Sequence, residues 1–183
     1  QGGVSTQVLT FALNGTNDLP VISAVSTPAG VTDGASNETS LPAVTGTITA
    51  SDVDGGTLSY AVQTGATSAT TATSKAGAYG TLTLTGSGYS YVPNPAQVNA
   101  LTAGQAVNDA FTLVVTDGQG GVSTQVLTFA LNGTNDAPVI TSLTNNQVFS
   151  FWGGDSGTTT LAATDVDGTS FTWSASSGVS GSN

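Results

Sequence analysis

The residues best equipped to do chemistry are carboxylates in pairs. Asp52-Val53-Asp54 and Asp165-Val166-Asp167 each place two Asp side chains two positions apart, and each pair is followed by a glycine that lets the chain turn sharply past them. Two such charges repel if left unpaired. Calcium takes about six to eight oxygens in irregular geometry and accepts Asn side chains and backbone carbonyls beside carboxylates, whereas magnesium is less suited to an all-protein cage. Asp next to Gly is also ordinary turn chemistry, so one such pair alone would carry little. Here further acids and amides accompany the pairs: Asn17-Asp18, Asp117-Gly118 and Asn135-Asp136, with Asp33, Glu38 and Asp109 as single acids that fit either a ligand set or a solvated turn.

Composition excludes most other chemistry. The 183 residues include no Cys and no His, which removes thiolate and imidazole nucleophile-base pairs and the usual zinc ligands. Lys75 is the only basic residue against 11 acidic ones, and the net charge of −10 argues against a nucleic-acid partner, because a phosphate backbone needs Lys or Arg to displace its counterions. No apolar run approaches the roughly 20 residues of a spanning helix, so no membrane insertion is expected, and no basic-then-apolar leader opens the sequence. The absence of Met implies that Gln1 is not a retained initiator position and that sequence lies, or once lay, upstream. Without disulfides, a secreted domain needs another staple, and a hard dication is the natural one. Paired carboxylates can hydrolyse glycosides, but these lie at loop ends with no evident cleft, so no enzyme is expected.

The elements that must position the acids are set by a repeat. Gln1–Asp18 (QGGVSTQVLTFALNGTND) recurs unchanged as Gln119–Asp136, and Ala50-Ser51-Asp52-Val53-Asp54 is echoed by Ala163-Thr164-Asp165-Val166-Asp167. These echoes divide the chain into the last strand of one repeat (1–18), a complete repeat (19–136) and the opening of a third (137–183). Inside the complete repeat the period is that of strands: Leu58, Tyr60 and Val62; Phe111, Leu113 and Val115; Leu127, Phe129 and Leu131 alternate with small or polar residues, and Val44, Ile48 and Ala50 share one face. Leu82 with Leu84 and Tyr89 with Tyr91 flank a Gly86-Ser87-Gly88 turn. No segment has a helical period, and the Thr/Ala/Ser-rich run from Thr64 to Gly77 reads as a long loop or frayed hairpin. The expected fold is all-β: tandem immunoglobulin-like Greek-key β-sandwiches.

In such a sandwich the chain comes in at one pole and leaves at the other, which sorts the acids. Asp52, Asp54 and Asp117 are expected at the incoming pole beside Asn17-Asp18; Asp33 or Glu38 and Asp109 at the outgoing pole beside Asn135-Asp136, where the next repeat adds Asp165 and Asp167. Phe149, Phe151, Trp152, Phe171 and Trp173 cluster in the third repeat, as core or as a sugar-binding platform. Asp155 reads as a turn residue, and Asn14, Asn37 and Asn132 open formal glycosylation sequons.

Asp117-Gly118-Gln119-Gly120-Gly121, a strand and then Asn135-Asp136-Ala137-Pro138 resemble the cadherin order of D-x-G, final strand and N-D-x-A-P-like linker, and Ala50–Gly55 resembles the cadherin A-x-D-x-D. The chain is more similar still to bacterial cadherin-like and VCBS-type tandem repeats of large secreted, RTX-type adhesins, whose consensus resembles G-T-N-D-A-P-V-I, S-D-V-D, Y-G-T-L-T-L and T-D-G-x-G-G. That resemblance implies a calcium-stiffened extender at the bacterial cell surface serving cell adhesion or biofilm formation. Its partners would be neighbouring repeats, like chains, and a host-surface or matrix ligand held through other domains. It departs from cadherin where the A-strand glutamate motif is replaced by Val31-Thr32-Asp33-Gly34 and where only Asp109 stands in for the acidic motif before the next-to-last strand. Alternatives are a self-assembling filament or surface-layer subunit using donor-strand pairing, and a carbohydrate-binding module.

Overall fold

A computed structural model describes residues 1–142 and 161–174. Residues 21–132 form two five-stranded sheets packed face to face. One sheet runs in the order β1 (Val21–Val25), β3 (Val44–Ser51), β8 (Gly88–Pro93), β7 (Gly80–Thr85), β6 (Ser74–Ala76). The other runs β2 (Val31–Thr32), β10 (Val122–Asn132), β9 (Ala106–Thr116), β4 (Ser59–Gln63), β5 (Thr71–Ala72). The chain crosses between sheets at β1–β2, β2–β3, β3–β4, β5–β6 and β8–β9, and the immunoglobulin-like Greek-key sandwich expected from the sequence is the observed fold.

The period-2 pattern explains which faces meet. Leu82, Leu84, Tyr89 and Tyr91 from one sheet and Val62, Phe111, Leu113, Val115, Leu127, Phe129 and Leu131 from the other fill the interior. Phe129 is the hub: the Tyr91 ring stacks on it at 4.1 Å between centroids, and Tyr89 and Phe111 meet it edge-on at 5.9 and 6.0 Å. The hairpin between β7 and β8 turns at Gly86, whose φ of +56° a side chain would resist.

The structure corrects the sequence reading in three places. The Thr64–Gly77 run carries β5 and β6, one at the edge of each sheet, with the chain stepping across at Thr73, whose carbonyl accepts from Leu84 N. A single helical turn, α1 (Pro95–Val98), is capped by Asn94 Oδ1 and joins β8 to β9; its buried Val98 is too brief a signal to give a period. Finally, Asp109 is not at the outgoing cluster. It lies in phase with Phe111, Leu113 and Val115, so its carboxylate points inward, where it accepts from Ala78 N (2.8 Å), Tyr79 N (2.9 Å) and Tyr91 Oη (2.7 Å). A methyl group on Gly77 would collide with it. Burial, together with this hydrogen bond, pushes the Tyr91 phenol well above its usual range. Asp109 therefore locks the turn before β7 to β9, with both carboxylate oxygens engaged by donors of the sandwich interior. Asp109→Ala is expected to cost about 3 kcal/mol, by orphaning a buried hydroxyl and two N–H groups, and Tyr91→Phe only about 1 kcal/mol; urea denaturation measures both.

Beyond the sandwich, β11 (Val139–Ile140) pairs antiparallel with β12 (Ala163–Thr164), Val139 facing Thr164 and Ile140 facing Ala163. The register repeats that of β1 on β3, where Val21 faces Ser51 and Ile22 faces Ala50. Residues 1–20, by contrast, contain no strand. Their counterparts in the second copy form β10, which pairs with β9 along its whole length; among the described residues the first copy pairs with no strand.

Candidate cation sites at the two poles

At the incoming pole the turn between β3 and β4 presents Asp52 and Asp54, the turn between β9 and β10 presents Asp117, and the linker Asn17-Asp18 runs between them. Asp18 N donates to Asp54 Oδ2 (2.6 Å), Asp54 N to Asp52 Oδ1 (2.9 Å), and Asn17 Nδ2 to Asp117 Oδ2 (2.7 Å). Gln119 N and Gly121 N also donate to Asp117. The Asn17 amide first, and then these backbone donors, hold the Asp117 carboxyl below the usual carboxylate range, so it stays charged. Asp117 Oδ2 and the Asp18 carbonyl crowd the place where a side chain on Gly121 would begin, so glycine is what admits them. One oxygen here, Asp52 Oδ2, is buried without a donor.

The outgoing pole is built on the same plan. Asn135 Nδ2 donates to the Asp136 carbonyl as Asn17 does to that of Asp18, Asp136 N donates to Asp167 Oδ2 (3.4 Å), and Asp167 N donates to Asp165 Oδ1 (3.1 Å). The linker and the acidic turn thus meet through the same bonds at both junctions. A hydrogen bond between the Asp165 and Asp167 carboxyl groups lowers the first and raises the second.

What the outgoing pole adds is a set of buried acids with nothing to bind. Asp136 is 1% exposed and Asp33 3% exposed, and neither oxygen of either carboxylate has a hydrogen-bond donor. Glu38 lies over Gly34 where a β-carbon would otherwise sit, with Oε2 also buried and unpartnered. Burial first, then the adjacent Glu38 carboxyl and the Asp136 charge, push Asp33 up to about 6. Asp136 is raised by burial and by the charges of Glu38, Asp167 and Asp165. A buried carboxylate is ordinarily paired or metal-bound, because desolvating it alone costs several kcal/mol, roughly; the one basic residue, Lys75, is on β6 and supplies no counter-charge here.

The loop that delivers Asp33 and Glu38 is tied to its neighbours. Asp33 N donates to the Asn132 carbonyl (2.9 Å), Thr134 Oγ1 donates to the Asp33 carbonyl (3.1 Å), and Asn99 Nδ2 donates to Asn37 Oδ1 (2.7 Å) and to the Glu38 carbonyl (3.0 Å). Among the described residues, three or more carboxylates are nowhere gathered on one point as a closed cage, as mutual repulsion dictates. The donor set nonetheless fits a hard, oxygen-seeking dication: carboxylates, amides and carbonyls, with no nitrogen or sulfur ligand.

The poles therefore gather Asn17, Asp18, Asp52, Asp54 and Asp117 at one end and Asp33, Glu38, Asn135, Asp136, Asp165 and Asp167 at the other. Glu38 belongs firmly with the second group; Gly34, four residues earlier and able to admit its carboxylate, is the sequence signal that points to it. Asn99 could not be placed from sequence, because its role depends on α1. Phe171 and Trp173 lie 6.4 Å apart with Trp173 42% exposed, while Phe149, Phe151, Trp152 and Asp155 lie outside the described residues.

No curated protein matches the chain. A family model described as "Bacterial Ig domain" matches residues 17–130, from the Asn17-Asp18 linker almost to the end of β10. The chain belongs to the bacterial Ig domain family.

Proposed function

We propose that the chain is an extender segment of a bacterial surface adhesin, in which calcium bound at each junction stiffens one repeat against the next. The bacterial Ig domain is a structural, non-catalytic type common in surface proteins, which supports a stalk. The observation that carries the calcium reading is the pair of buried, donorless carboxylates on Asp33 and Asp136, the second of which feels the charges of Asp165 and Asp167 in the following repeat. Asp33, Glu38, Asn135, Asp136, Asp165 and Asp167 would hold ions at that junction; Asn17, Asp18, Asp52, Asp54 and Asp117 would do so at the other, with a preceding repeat contributing its own share. The ion supplies positive charge that lets these groups remain ionised side by side and so fixes the linker's direction. Cell adhesion or biofilm formation would then follow from ligand-binding domains carried elsewhere on a longer protein.

Small-angle scattering tests the reading. The maximum dimension should be larger in calcium than in chelator, and Asp136→Asn in calcium should scatter like the unsubstituted chain in chelator. Superimposable curves in calcium and chelator, with no thermal shift between them, would sink it.

A further inference from the structure

Each sheet ends on two edge strands, and three of these four edges are closed to a further strand. β1 carries a bulge between Ile22 and Ala24. β6 sets Lys75 opposite the buried Leu82, so a charged side chain lies on the inner face of that edge. β5 is two residues long. Bulges, short strands and inward-placed lysines are the devices by which sandwiches avoid pairing edge to edge. β2 is as short as β5, but here shortness has the opposite effect. It pairs only with Leu131 and Asn132 of the eleven-residue β10, so among the described residues no strand flanks Val122–Ala130 on that side.

The bond from Asp33 N to the Asn132 carbonyl shows which way the β10 backbone faces. Strand residues alternate, so Thr124, Val126 and Thr128 turn their N–H and C=O groups outward in phase with Asn132. All three are exposed, Val126 by 61%. Neither a charged residue nor a proline lies between Val122 and Asn132, although the chain carries 11 acids. The sequence about Val126 is also its own complement. In an antiparallel pair of two copies with Val126 on the two-fold axis, Val126 faces Val126 and Thr124 faces Thr128. That register gives about six backbone hydrogen bonds, puts β-branched side chains in contact and sets no like charges opposite one another.

We propose that the outer edge of β10 is a self-association surface, on which Thr124–Thr128 of two copies pair antiparallel about Val126 and join their sheets into one. β2 sets the limit of the ladder, since from Leu131 onward the edge is taken. An interface of this size is weak on its own. On the reading of residues 1–18 as the last strand of a preceding repeat, Val4–Asn14 supplies the same uncharged sequence one repeat earlier. The contact would then recur along two antiparallel chains and gain by linkage. It uses none of the acids at the poles and does not depend on a bound cation.

Because the chain has no cysteine, introduced thiols report the register. A full-length Thr124→Cys chain and a mass-labelled Thr128→Cys chain are mixed in equal amounts at millimolar concentration, in chelator and physiological salt, and oxidised. Opposed residues lie about 5.5 Å apart between Cα atoms, within disulfide reach, whereas Thr124 lies about 13 Å along the ladder from its own twin. The expected product is the 124–128 heterodimer, at least about tenfold over either homodimer, as an oriented contact requires. Val126→Cys alone should give a homodimer. Heterodimer and homodimers in the statistical proportion of random collision, or no disulfide at all, would overturn the proposal. Sedimentation gives a second readout: the unsubstituted chain should gain mass with concentration. Val126→Lys sets two ammonium groups face to face on the axis; it should stay monomeric with an unchanged urea midpoint, because Val126 is exposed. A Val126→Lys chain that associates as the unsubstituted one does would place the contact on another edge and sink the assignment to β10.

Discussion

Calcium added to the metal-free chain at pH 7 is expected to raise its melting temperature by about 10 °C, and the gain should shrink to almost nothing at pH 4.5. The size follows from mass action: free ion at a hundred times Kd stabilises the folded state by about 2.7 kcal/mol, and a domain of this size gains about 4 °C per kcal/mol. The pH dependence follows from Asp33 and Asp136. Both carboxyls are raised in the folded state, Asp33 to about 6, by burial and by neighbouring acids. A raised acid favours the fold while protonated, so its contribution is complete below the unfolded value and is lost as pH rises through the folded one. For Asp33 that window runs from about 4 to about 6. Without calcium, stability should thus fall from pH 4.5 to pH 7; with calcium, which binds only the ionised groups, it should rise over the same interval. Calorimetry across that range with calcium, magnesium and chelator separates the cases. A metal-free chain that is most stable at pH 7 would show that Asp33 and Asp136 are not strained by their own charge.

The strands that alternate cleanly were readable from sequence because they pair antiparallel and bury one face each: Leu82 and Leu84, Tyr89 and Tyr91, and Phe111, Leu113 and Val115 all face where period 2 places them. The grouping of Asp52, Asp54 and Asp117 beside Asn17-Asp18 was readable too, since topology alone puts those turns at one pole. Asp109 was misplaced although its phase with Phe111 marks it as inward; a carboxylate in a core position invites a search for donors, and here they come from backbone in a different part of the chain. The depth of Asp33 and Asp136 was not readable, because burial at a junction depends on what the next repeat lays over it. The β5 and β6 strands escaped because edge strands of two or three residues are held by their neighbours and carry little pattern of their own.

The repeated segment gives the most direct measure of how much context adds. Phe129→Ala is expected to destabilise the chain by about 4 kcal/mol, the range for emptying a large aromatic site that cannot collapse. Four rings share the cluster centred on Phe129, so the void would open between the two sheets. Phe11→Ala removes the same side chain from the same local sequence, and it should leave the urea midpoint within experimental error, because Phe11 is 75% exposed. The pair isolates tertiary burial from every local factor, since residues on both sides are identical for at least seven positions in each direction. If Phe11→Ala also cost several kcal/mol at micromolar concentration, residues 4–14 would already be buried against another surface, and the loss should then depend on protein concentration.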